Sequence, residues 1–188
     1  MRSSASPLSV YLMGATLALA GASGWASEVR GQIIMCATAE RREAIRGAWG
    51  TASIFANRYL REWRRSFDTI QPDSLRPSDR EFDRLSAEYE EVLRQFDERG
   101  VITCSNLASD CETYQKLAGR ASQGRLSILL CYDNILPADR CDLVGVLSHE
   151  TAHIAGFPVN EDHRGEAGQN DPVYVFRRLV ERMCRSWA

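Results

Sequence analysis

Lysine is all but missing from this 188-residue chain: it occurs once, at Lys116, and arginine carries nearly all the positive charge. With a formal net charge of −2 and both signs mixed along the chain, there is no basic surplus or stripe, so no nucleic-acid partner is expected. The arginine bias reads as a genome's codon preference. Histidine is nearly as scarce: His149, His153 and His163 are the only three, all in one segment. No two cysteines have Cys-x-x-Cys spacing, which removes the usual structural zinc site. There are no internal repeats and no low-complexity linker. Beyond the first residues, no apolar run approaches the roughly 20 residues that a spanning helix needs. One domain of ordinary size is what such a length allows.

The beginning of the chain has its own character. Arg2, an apolar stretch from Leu8 to Ala22 and the small-x-small run Gly24-Trp25-Ala26 form the pattern of a secretory signal peptide over 1–26, cleaved after Ala26. A mature domain over 27–188, secreted or periplasmic and without stable membrane association, is therefore expected. Export fits the six cysteines (Cys36, Cys104, Cys111, Cys131, Cys141 and Cys184), all in the mature part. An even number in an exported chain reads as three disulfides, although six cysteines allow 15 connectivities.

The mature part divides into a helical stretch, 38–100, and a second part, 101–188. From Ala39 to Phe67, apolar residues at Ile45, Ala48, Trp49, Ala52, Ala56, Tyr59, Leu60, Trp63 and Phe67 recur at intervals of three and four, one face of a long amphipathic helix. Two prolines in "QPDSLRPSD" interrupt it. Ser78 with Glu81 three residues on is a capping box opening a second helix, which carries Phe82, Leu85, Tyr89, Val92, Leu93 and Phe96 inward and ends at Gly100. Both stripes read as core. "VITC" and "RLSILLC" then read as strands. A helix begins near Pro137, with Asp139 and Asp142 at its N-terminus, and a last one runs from about Pro172 to Arg185.

The helix from Pro137 carries "HETAH". His149 and His153 lie one turn apart on one face, about 5–6 Å between Cβ atoms, so their imidazoles can share one tetrahedral zinc ion. Glu150, beside the first ligand, can take a proton from an activated water without ligating the metal. Gly156, as a left-handed cap, and Pro158 stop the helix soon after His153, so that the chain can return with a third ligand. A third histidine six residues after His153, one common arrangement, would fall on Val159. The residues leave Asp162, His163, Glu166 and, on the last helix, Glu181 as candidates. The plainer reading is two partly buried histidines on an amphipathic helix.

The stretch "RLSILLCYDNILPADRCDLVGVLSHETAHIAGFPVNEDHRGEAG", with "NDPVYVF" after it, resembles the core of the aspzincins, the deuterolysin and peptidyl-lysine metalloendopeptidase group. The likeness runs over roughly 104–176 and leaves out the two N-terminal helices. It implies an α+β, mostly helical zincin-like domain with a small sheet. It implies Asp162, nine residues after His153, as third zinc ligand, with His163 the alternative. Asp171 would match an acidic residue that recognises lysine in one branch, but it also reads as an N-cap before Pro172. The family's transition-state tyrosine falls on Gly165, so another donor, Arg164 or Tyr174, would have to serve. A family bridge matches Cys111 and Cys131, which leaves Cys36 with Cys104 and Cys141 with Cys184.

The resulting expectation is an exported metalloendopeptidase holding one Zn²⁺ and acting on peptide or protein substrates with Glu150 as general base. The alternative is a secreted, non-catalytic binding or inhibitory module on the same scaffold.

Overall fold

The computed structural model describes residues 31–105, 109–113, 118–121, 123–135, 139–163 and 167–187. The signal segment 1–26 and the residues Lys116, Pro137, Arg164, Gly165 and Glu166 lie outside them. The architecture is mixed α+β and mostly helical, with one small sheet. Among the described residues no helix is long and apolar enough to cross a membrane.

The long helix α1 spans Ala39–Arg65 and starts where the Thr38 side chain accepts the Arg41 N–H. Helix α2, Asp79–Arg99, opens with the expected reciprocal capping box of Ser78 and Glu81. Its terminating Gly100 has φ −69, so the helix ends without a left-handed residue. The stripes expected from the sequence are buried in both helices except for Phe67, which lies past the end of α1 and is half-buried. Trp49, Tyr59 and Trp63 from α1 and Tyr89 and Phe96 from α2 are among the largest wholly buried side chains.

The sheet holds β1 (Gln32–Ile34), β2 (Val101–Cys104), β3 (Gly119–Ala121) and β4 (Ser127–Leu130) in the order β1-β2-β4-β3. Strands β1, β2 and β4 are parallel, whereas the outer strand β3 runs antiparallel to β4. A short helix α3, Ser109–Thr113, follows β2.

Helix α4, Arg140–Ile154, lies across the middle of the molecule. It begins at Arg140 rather than near Pro137, because Asp139 caps it and forms a capping box with Asp142. Most of its residues are buried around its whole circumference, as expected of a helix enclosed by neighbours rather than lying on a surface. α1, α2, β3, β4 and the last helix, α5 (Pro172–Arg185), all touch it. α5 packs most extensively, and the Cys141–Cys184 disulfide links the start of α4 to the end of α5. A second disulfide joins Cys111 to Cys131. The expected third bridge is absent: Cys36 and Cys104 are free thiols in hydrogen-bonded contact.

Candidate metal centre

The end of α4 sets the first two imidazoles. Past Ile154 the Gly156 N–H donates to the His153 carbonyl at 3.1 Å and the Phe157 N–H to the Ala152 carbonyl at 3.0 Å, with Gly156 at φ +77. This pairing is a Schellman closure, which requires a left-handed residue that glycine adopts without strain. The chain then turns sharply and runs back towards the helix it has just left.

On that last turn the Nε2 atoms of His149 and His153 stand 3.2 Å apart. Two imidazole nitrogens at 2.0–2.1 Å from a tetrahedral ion would be separated by about 3.3 Å, so the spacing fits a shared metal. The third imidazole is His163: its ring centroid is 5.3 Å from that of His149 and 4.6 Å from that of His153. One ligand atom from each of the three lies within 4.8 Å of the others. His149 is only 6 % exposed. Burial, and then positive charge on His153, Arg177 and His163, hold its pKa well below the usual imidazole range. It is therefore neutral at neutral pH, the form that can donate a lone pair. Its Nδ1 is buried and has no hydrogen-bond partner among the described residues.

The structure groups His163, and not Asp162, with the two motif histidines. Asp162 is exposed, its N–H donates to the Asn160 side chain at 3.1 Å, and its carboxylate is not in the cluster. Adjacent residues in a tight turn point to opposite sides, and here the inward one is His163. The 3₁₀ turn Ala167–Asn170 packs against this turn so closely that a Cβ on Gly168 would lie 2.2 Å from the His163 carbonyl oxygen. Glu181 is also outside the cluster. It accepts from the Arg177 Nε at 2.7 Å and packs on Gly145, where a Cβ would fall 2.3 Å from the Glu181 Cγ.

Asp171 lies at the start of α5. Its plainer sequence reading holds: it caps α5, accepting the Tyr174 N–H on Oδ1 at 3.0 Å. Its Oδ2 accepts the Asn160 N–H at 3.3 Å and lies 2.5 Å from the His163 Nδ1. With 0 % exposure and both oxygens engaged, it has no surface to offer a substrate side chain. Tyr174, one turn into α5, does reach the centre, its ring centroid 4.7 Å from that of His149 and 4.9 Å from that of His163.

Glu150 is 3 % exposed and faces β3 rather than solvent. An added Cβ on Gly119 would fall 2.8 Å from Oε1 and 3.0 Å from Cγ of Glu150, so the strand backbone lies directly on this side chain. The sequence reading missed this contact, since a three-residue strand gives no periodic signal. The choice of His163 did have a signal: the only histidine outside the motif lies ten residues past it.

Compared with family models, with curated proteins and with solved structures, the chain finds no match.

Proposed function

We propose that this chain is an exported zinc-dependent peptidase whose centre is His149, His153 and His163, with Glu150 as general base. The observation that carries this reading is the convergence of three imidazoles, two with nitrogens 3.2 Å apart, at a helix that also carries the buried Glu150. When bound, zinc supplies a Lewis acid that activates water and polarises a carbonyl. The protein's part is division of labour. His149, His153 and His163 would hold the ion, three protein ligands being the usual number at a catalytic zinc site. Glu150 takes the proton from the attacking water and returns it to the departing amine, so the proton balance closes within one side chain. Tyr174 places a phenol beside two of the ligands, where its O–H serves as donor to the negative charge developing on the carbonyl oxygen.

The outer position of β3 suits an extended substrate. A peptide pairing along this strand passes the backbone of Gly119, and so passes Glu150. The two disulfides fit an oxidising compartment. Metal analysis of the purified protein together with casein digestion tests the proposal. Zinc at one ion per chain with cleavage is expected. Zinc without cleavage would point to the non-catalytic module, and no zinc would end both readings.

A further inference from the structure

We infer that Asp171 is a positioning residue for the metal centre, fixing from the N-cap of α5 the His163 tautomer that can ligate. The inference rests on the metal-centre reading above. A carboxylate that already receives the Tyr174 and Asn160 N–H groups is an acceptor on both oxygens. The hydrogen between Oδ2 and the His163 Nδ1, 2.5 Å apart, therefore sits on the ring nitrogen. That leaves the lone pair of His163 on Nε2, the nitrogen turned away from Asp171. Metal-bound histidines are commonly oriented through their other nitrogen in this way.

Capping alone does not require aspartate. Asparagine and serine cap helices about as well, because one acceptor for the N–H is enough. What aspartate adds is a second acceptor oxygen, and it is this oxygen that meets His163. In Asp171→Asn, an amide oxygen kept on the Tyr174 N–H places the NH₂ group against the His163 Nδ1. Two donors cannot face each other, so His163 shifts its hydrogen to Nε2 and loses the lone pair the metal needs. The logic is that of asparagine replacing the aspartate behind a catalytic histidine, which keeps the geometry but gives the wrong tautomer. The opposite amide orientation would keep the tautomer and open the cap. Asp171→Ser separates the two effects, since its hydroxyl caps the helix but stops short of His163.

The test is zinc affinity by competition with a chromophoric chelator, alongside ¹⁵N–¹H correlation of the imidazoles in the zinc-free protein. In the wild type His163 is expected with its hydrogen on Nδ1. Asp171→Asn and Asp171→Ser should bind zinc about 10–100-fold more weakly. Their zinc-free melting temperatures should fall less than that of Asp171→Ala, which removes the cap as well. Wild-type affinity in both variants would overturn the proposal and leave the metal centre standing. An Nε2–H tautomer at His163 in the wild type would overturn it without any variant. Failure of the wild type to bind zinc would remove the metal-centre reading, and this inference with it.

Discussion

The indole of Trp63 on α1 stacks on Phe157, four residues past His153, with ring centroids 4.4 Å apart and planes within 16°. The same indole Nε1–H donates to the Pro172 carbonyl at 3.2 Å, at the start of α5. One side chain from the N-terminal helices thus braces both the chain leaving the ligand helix and the helix whose cap holds His163. The part of the chain that the family resemblance leaves out is, in this sense, part of the site. Trp63→Ala should cost about 3–5 kcal/mol, as large buried aromatics do, and Trp63→Phe clearly less. Urea denaturation measures the loss. Zinc affinity in Trp63→Ala should fall too, and an unchanged affinity would limit Trp63 to packing.

Glu150 gives two separable substitutions. Glu150→Gln keeps shape and burial, so fold and zinc content should persist while turnover drops about 10²–10⁴-fold. Gly119→Ala leaves the glutamate in place but puts a methyl within 2.8 Å of Oε1. The nearest atoms are those of a side chain, but one that is only 3 % exposed has little room to yield, so it must rotate. The expected result is a lower kcat with metal binding intact. Wild-type turnover in Gly119→Ala would show that Glu150 acts from another rotamer.

How much of this was legible in the sequence follows from how each feature is encoded. α1, α2 and α5 carry long apolar stripes and side-chain caps, and their ends lie within a residue or two of expectation. α4 showed its start, its stop and its motif, but nothing in the sequence announced burial on nearly every side of the helix. β1 and β3 hold three residues each and owe their pairing to neighbours far away in the chain, so no local pattern announces them. Asp162 and His163 show the same limit at the site: ligand type and spacing were readable, but which of two adjacent side chains joins the cluster depends on the path of a turn that packs on Gly168, far from any local pattern.

The disulfides carry a third prediction. Cys141–Cys184 closes a sequence separation of 43 residues that includes the whole candidate site. Chain entropy for a loop of that size makes Cys184→Ala less stable by about 2–5 kcal/mol, checked by melting under non-reducing conditions. Cys36 and Cys104 lie just past the paired ends of β1 and β2, and their thiols already touch. Burial, and then the neighbouring Cys36, push the Cys104 thiol up to about 12. Cys104 should therefore resist alkylation at neutral pH, where the un-ionised thiol is a poor nucleophile. Peptide mapping should recover Cys111–Cys131 and Cys141–Cys184, with Cys36 and Cys104 as thiols. A Cys131–Cys141 bridge would contradict the whole set.

The last prediction separates the two adjacent candidates for the third ligand. His163 has its ring within about one coordination sphere of His149 and His153, and its far nitrogen is tied to Asp171. Asp162 is exposed, and reaching the cluster would require the turn to reverse, which would tear His163 from Asp171 and bring the backbone carbonyls against Gly168 differently. His163→Ala should therefore lose zinc at micromolar free metal, and with it the added thermal stability that a ligand bound only to the folded state confers. Asp162→Ala should bind zinc as the wild type does and lose the same thermal stability as the wild type when a chelator removes the metal. The comparison needs no substrate, so it holds whether or not the protein cleaves peptides. If only Asp162→Ala released the metal, the three-histidine centre would be wrong and the arrangement implied by the aspzincin resemblance would stand in its place.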